Sequence, residues 1–280
     1  MTTTELMDGT ALAAALLEDT RRRADEVAQI RRRPCLATVL VGDDPASATY
    51  VRMKQNRCGD TGIESRHIAL PESASTGDAV AVVENLSRDS SVDGILVQHP
   101  VPAQVDERAV FEAIAPGKDV DGVTFSSFAS VALGGGTGFE SCTPGGIVRL
   151  LDHYEVDLEG AHAVVVGRSP ILGKPVGMLL LARNATVTYC HSRTRDLDEH
   201  VRSADVVVAA VGISNFIRGT WLKPRSVVID AGYNPGNIGD VATDEAMGVA
   251  SLITPVPGGV GPMTIATLMA QTVDAATKEA

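Results

Sequence analysis

The chain has 280 residues, 44% hydrophobic and 21% charged, with a formal net charge of -11. That length supports one large or two ordinary domains, and the composition is that of a soluble globular protein. The acidic balance excludes a binder of nucleic-acid backbone, which needs a basic stripe; Arg21–Arg23 and Arg31–Arg33 read instead as solvated faces flanking a first helix.

No apolar run approaches the ~18 residues of a membrane span. The N-terminus has neither the basic start nor the apolar core of a signal peptide. Cys35, Cys58, Cys142 and Cys190 are widely spaced and form no C-x-x-C pair. The expectation is a cytoplasmic protein with reduced thiols, no metal site and no membrane partner.

In chain order, residues 9–30 predict a helix. Residues 34–41 predict a buried strand, and Gly42-Asp43 a strand-to-helix turn. A helix follows over 44–58, with Asp44 as cap, Pro45 at its first position and Gly59 or Gly62 at its end. Strand 66–70, a helix near 77–88 and the short strand 93–98 continue the pattern. This β-α-β-α-β alternation implies a parallel sheet covered by helices. After a helix near 106–115, residues 116–122 have the composition of a turn. The segment 123–140 ends in Gly134–Gly138 and reads as a flexible connector at a domain boundary. A helix starting at Thr143-Pro144 is expected to bridge the two domains. Val/Ile-rich strands at 161–166, 185–190, 205–211, 226–230 and 251–254 have the continuous apolar character of strands buried on both faces. A helix over about 263–277 closes the chain.

Two stretches carry chemistry. On the helix 44–58, Ser47, Tyr50 and Lys54 fall within about 60° of one another, at the carboxyl edge of a sheet where open α/β folds place ligands. The same spacing suits a solvated surface with the lysine stem packed over the ring. In the second half, strand 161–166 runs into Gly167-Arg-Ser-Pro-Ile-Leu-Gly-Lys-Pro175. A strand, a glycine turn and a helix start aim backbone N–H groups at a pyrophosphate, although the middle glycine of G-x-G-x-x-G is absent. The next strand ends in Cys190-His-Ser-Arg193, with no carboxylate for a ribose, and Arg168 stands in the loop. NADP is therefore favoured over NAD.

Tyr50-x-x-x-Lys54, Val97-Gln98, Lys118-Asp-Val-Asp-Gly122, Thr143-Pro144, Gly167-Arg-Ser169 and Thr254-Pro-Val-Pro-Gly-Gly-Val-Gly-Pro-Met-Thr264 together resemble the bifunctional methylenetetrahydrofolate dehydrogenase/cyclohydrolase family. The resemblance implies an α/β protein of two domains: an N-terminal catalytic domain (1–140, joined by the C-terminal helix 263–280) and a C-terminal Rossmann-type parallel sheet (141–262), with folate in a cleft between them. It implies a homodimer that oxidises 5,10-methylenetetrahydrofolate with NADP and hydrolyses the methenyl product to 10-formyltetrahydrofolate. By resemblance Lys54 is the general base or acid, Gln98 its neutral partner, Tyr50 a substrate-positioning ring and Asp121 the pterin anchor. Asp119 competes with Asp121 on spacing alone. Ser47, Pro257, Gly258 and Gly259 are expected at the substrate, and Gly167, Arg168, Ser169, His191, Ser192, Arg193, Gly212 and Tyr233 at the cofactor.

Two residues depart from the family pattern. His99 follows Gln98 where leucine is commoner, and packing is its favoured role. Tyr233 replaces a small aliphatic residue. A short-chain dehydrogenase is set aside because Tyr50 precedes the nucleotide loop by more than 100 residues. A shikimate- or amino-acid-dehydrogenase-like oxidoreductase and a non-catalytic nucleotide sensor remain the alternatives.

Overall fold

The computed structural model describes residues 3–42 and 45–278, apart from the side chains of 45–50 and 278. Its first-half elements are β1 (Glu5–Leu6), α1 (Gly9–Ile30), β2 (Cys35–Val41), α2 (Pro45–Asp60), β3 (Glu64–Leu70), α3 (Thr76–Arg88), β4 (Gly94–Val97), α4 (Glu107–Glu112) and α5 (Phe125–Leu133). Then come α6 (Cys142–His153), β5 (His162–Val166), α7 (Gly173–Leu181), β6 (Thr186–Cys190), α8 (Leu197–Arg202) and β7 (Val206–Ala209). The chain closes with β8 (Val227–Asp230), α9 (Thr243–Ala246), β9 (Leu252–Ile253) and α10 (Val260–Lys278).

These elements form two compact units. One combines Ala14–Ser141 with the chain from Ile265 on; the other combines the chain up to Ala13 with Cys142–Thr264. Among the described residues the first unit holds a three-stranded parallel sheet in the order β3-β2-β4. Central β2 is buried at all seven positions, whereas edge strand β3 alternates between exposed and half-buried. The helices start where the sequence supplies caps. Ser75 and Asp78 form a reciprocal capping box on α3, and Asp106 caps α4 through the N–H groups of Arg108 and Ala109.

The second unit holds a six-stranded parallel sheet, again among the described residues, in the order β1-β9-β8-β7-β5-β6. Every residue of β7 and β8 is buried. Val164, Val207, Val228 and Ile253 pack with Val201, Ile217 and Ala246 in one apolar cluster. At roughly 1.5–3 kcal/mol per large aliphatic side chain, such burial is what holds the sheet to its helices.

The structure corrects the sequence reading in three places. The N-terminal residues do not group with the first unit: β1 pairs with β9, Glu5 N–H donating to Ser251 O and Met7 N–H to Ile253 O, both at 2.9 Å. Helix α6 starts one residue early and lies whole within the second unit, so it is not the bridge; α1 and α10 are the helices that run from one unit into the other. The connector 123–140 contains α5, capped by the Thr124 hydroxyl and ended by Gly134 at φ 71°. Its glycine tract folds back: Gly134 N–H donates to Ser130 O at 3.1 Å and Gly138 N–H to Ser130 Oγ at 3.4 Å.

Candidate active site

In the first unit β2 comes first in the chain yet lies between β3 and β4, so strand order reverses beside it. Ligands of open α/β sheets sit outside the carboxyl ends at such a switch. Gln98 leaves β4 there, only 7% exposed, with its N–H on Val39 O at 2.8 Å. Lys54 Nζ donates to Gln98 Oε1 at 3.0 Å, and Gln98 Nε2 donates to His99 O at 2.8 Å. Lys54 is half-buried, and it shares its helix face with buried Val51 and Cys58, three residues before and four after. The face bearing Lys54 is therefore the one α2 turns inward, not a solvated surface. Gly62, at φ 71°, ends the helix. The Asp44 cap, and the side chains of Ser47 and Tyr50, lie outside the described residues. His99 packs edge-on against Phe111, ring centroids 6.5 Å apart.

The run Lys118–Gly122 is mostly scaffold for one carboxylate. Buried Lys118 ties down the end of α3, donating from Nζ to Asp89 O at 2.7 Å. Asp119 is fully buried and its oxygens are consumed by the start of α5. They accept from the N–H groups of Val123 (3.1 Å) and Thr124 (2.9 Å) and from the hydroxyls of Thr124 (2.7 Å) and Ser127 (2.6 Å). Gly122, at φ 66°, turns the chain where a Cβ would meet the Glu140 carbonyl at 2.5 Å. Between them Asp121 is half-buried. Of the two aspartates, Asp119 is committed to the fold.

In the second unit the same topology recurs: β5 lies between β6 and β7, and its end carries the glycine turn. Gly167, at φ 135°, lies so close to β7 that a Cβ would collide with Ala210 O, and one on Gly173 would meet Gly167 O at 2.5 Å. The Ser169 hydroxyl accepts from Leu172 and Gly173 N–H, both at 3.2 Å, setting the first turn of α7. Gly177 lets α7 lie on β6, where Tyr189 donates its hydroxyl proton to Lys174 O at 2.8 Å. After β6, His191 Nδ1 accepts from Arg193 N–H at 3.2 Å, which leaves the ring proton on Nε2. Arg168, Ser192, Arg193 and Arg195 are exposed around this turn, and the first carboxylate after β6 is Asp196. A glycine cradle with exposed arginines, and no carboxylate between β6 and Asp196, fits a dinucleotide carrying a 2′-phosphate.

Gly212, at φ 68°, and Tyr233, 61% exposed, lie in the turns that follow β7 and β8. Tyr233 donates its phenol proton to Asn237 Oδ1 at 2.6 Å. Sequence reasoning missed Asp230 and Asp240, two buried carboxylates behind these turns. The available signal was a pair of acids in a Val-rich, glycine-punctuated stretch. Pro257, Gly258 and Gly259 belong to the second unit, where Gly258 O accepts from Thr10 N–H at 3.0 Å. Gly259 also sits so close to Gly9 that a Cβ on Gly9 would overlap its carbonyl. Part of this segment's glycine content is therefore a packing requirement. Burial pushes the Cys35 thiol up to about 11 and the Cys58 thiol up to about 12, so neither is a nucleophile at neutral pH.

The chain matches the family models for the tetrahydrofolate dehydrogenase/cyclohydrolase catalytic domain over residues 7–121 and for the NAD(P)-binding domain of the same family over residues 141–280. It is 64% identical over 275 residues to the bifunctional protein FolD 1 of Salinispora arenicola, covering 98% of each chain. Among solved structures it resembles the bifunctional FolD methylenetetrahydrofolate dehydrogenase/cyclohydrolase of Campylobacter jejuni, with TM-score 0.97 and 41% identity over 99% of this chain and 100% of that one. It also resembles the Trypanosoma brucei dehydrogenase-cyclohydrolase complexed with NADP cofactor and inhibitor, with TM-score 0.95 and 32% identity over 100% and 99%. The chain belongs to the tetrahydrofolate dehydrogenase/cyclohydrolase family and is a bifunctional enzyme with an NAD(P)-binding domain.

Proposed function

We propose that the enzyme oxidises 5,10-methylenetetrahydrofolate to the 5,10-methenyl cation with NADP, then hydrolyses that cation to 10-formyltetrahydrofolate. The observation that carries the residue assignment is the Lys54–Gln98 hydrogen bond at a strand switch point. Membership of this family outweighs the shikimate-dehydrogenase-like and non-catalytic alternatives.

The two reactions ask different things of the protein. Loss of hydride gives a cation shared between two nitrogens, so no base is needed and the task is alignment. NADP, when bound, supplies the hydride acceptor. In this reading Tyr50 and Ser47 position the folate, with Pro257, Gly258 and Gly259 also at the substrate. Gly167, Ser169, His191, Gly212 and Tyr233 line the cofactor, while Arg168, Ser192 and Arg193 take the 2′-phosphate. Asp121 accepts two parallel N–H bonds from the pterin edge. Hydrolysis does need a base, because water must lose a proton as it attacks. Lys54 accepts that proton, which requires the neutral amine and so a pKa below the usual ~10.4. Partial burial and a cationic substrate act in that direction, and Gln98 orients the amine without adding a charge that would favour ammonium. In the same reading the enzyme works in the cytoplasm as a homodimer, a state that light scattering on the purified protein measures.

Lys54→Met tests the assignment. Hydrolysis of methenyltetrahydrofolate should fall by at least ~100-fold, the usual worth of a general base, with folate binding retained. A variant that hydrolyses at the wild-type rate rejects Lys54 as the base. NADPH formation from methylenetetrahydrofolate, assayed against shikimate and amino acids, tests the substrate class.

A further inference from the structure

Asp230 and Asp240 are 1% and 0% exposed, and neither has a cationic side chain among its hydrogen-bond partners in the described residues. Asp240 Oδ2 accepts from the N–H groups of Val211 (2.6 Å) and Gly212 (2.8 Å), and Oδ1 from Ile213 N–H (2.9 Å) and Asn234 Nδ2 (3.1 Å). One carboxylate thus gathers three consecutive N–H groups of the turn that follows β7. Asp230, the last residue of β8, holds the segment that carries Asp240. Its Oδ1 accepts from Gly232 and Asp240 N–H and its Oδ2 from Val241 N–H, each at 2.9 Å. Glycine is required around both: a Cβ on Gly239 would overlap Asp230 Oδ2, and one on Gly232 would overlap Asp240 Cγ.

We infer that Asp230 and Asp240 are positioning residues for the dinucleotide: Asp240 fixes the 211–213 turn and Asp230 fixes the backbone of Asp240. The inference rests on the assignment of Gly212 to the cofactor. The turn lies at the carboxyl end of β7, whose neighbour β5 is followed by Gly167, so the two loops flank one switch point. Buried carboxylates are costly, and a fold that needed only packing here has apolar residues available. The cost is visible in Asp230, which burial pushes up to about 6 against the pull of its three N–H donors, the nearby Asp240 carboxylate adding to the rise. Asp240 is the titratable group facing it; just past β9 the Thr254 hydroxyl accepts from Asp230 N–H at 2.8 Å. A protonated Asp230 presents a donor where it must accept, so its grip on the turn loosens in acid.

The test is NADP affinity of the full-length enzyme by titration calorimetry, with the unfolding midpoint measured alongside. Asp240→Asn should weaken NADP binding about tenfold or more, since one acceptor becomes a donor facing N–H groups. Asp230→Asn imitates the protonated acid. It should bind NADP several-fold more weakly at pH 8, and the gap to wild type should close as pH falls through about 6. Groups that titrate in both proteins cancel in the comparison, so the difference between the two pH profiles is the readout. Affinities within twofold of wild type in both variants overturn the inference. Should Asp240→Asn not fold, parallel profiles for wild type and Asp230→Asn from pH 5 to 8 overturn it alone. Arg193→Ala separates the readings: weakened by that change but not by the aspartate variants, the cofactor assignment stands and this inference falls. A wild-type enzyme that binds no NADP removes the cofactor assignment itself.

Discussion

Two aspartates separated by one valine show how little spacing says about role. Asp119 and Asp121 are the same acid in the same turn, and nothing in Lys118-Asp-Val-Asp-Gly122 ranks them. Burial does: Asp119 is fully buried, and four hydrogen bonds converge on it from the start of α5. Asp119→Ala leaves buried N–H and hydroxyl groups without an acceptor, and each such group costs about 1–3 kcal/mol. The expected loss is about 3 kcal/mol or more in denaturant unfolding. Asp121→Ala should leave stability within about 1 kcal/mol, because the residue is only half-buried. It should instead raise the folate Kd at least tenfold while NADP affinity holds. An Asp121→Ala enzyme with wild-type folate affinity would remove the pterin anchor from the mechanism. For Lys54 the spacing left a site and a solvated surface both open, and it is the burial of Val51 and Cys58 in the folded chain that turns its face inward. Asp230 and Asp240 were not legible, because what distinguishes them is a set of backbone donors that only the folded turn assembles.

At the scale of elements, the strand–turn–helix unit β5–α7 was readable because each part has its own local cause. Val-rich β5 is buried, glycine permits the turn, and Ser169 caps the helix start. The fold also explains a tolerated departure: the absent middle glycine of G-x-G-x-x-G is Ser169, whose hydroxyl binds the helix N–H groups itself. Gly167 has no such latitude. Its φ of 135° lies outside the range of L-residues, and a Cβ would strike the backbone of Ala210, which cannot rotate away. Gly167→Ala should lower NADP affinity by tenfold or more and shift unfolding to lower denaturant; wild-type affinity in a correctly folded variant would place the dinucleotide elsewhere. Helix α5 was misread for a complementary reason. The composition of 123–140 suggested a linker, but buried Asp119 fixes Thr124 at the start of α5 and Ser130 pins the glycine tract, contacts that composition alone does not report.

At the scale of the molecule, β-α alternation announced two parallel sheets, yet the assignment of the N-terminus failed. Residues 3–8 carry no strand periodicity, and two-residue β1 exists only because β9 offers an edge. That attachment is dense. Thr4 Oγ1 donates to Ala250 O at 2.8 Å and accepts from Gly248 N–H at 2.7 Å, while Asp8 N–H donates to Tyr154 OH at 2.6 Å. Met7 is fully buried. Removing a buried methionine side chain to alanine typically costs about 2–5 kcal/mol, from lost burial and the cavity left behind. Met7→Ala should therefore destabilise the unit to which it belongs, although it lies more than 240 residues from β9 in sequence. Hydrogen exchange locates the effect: amides of β8 and β9 should exchange faster, while those of β2 and β4 keep their protection. Loss confined to the three-stranded sheet, or none in either, would show that the first residues of the chain do not stabilise the nucleotide-binding sheet.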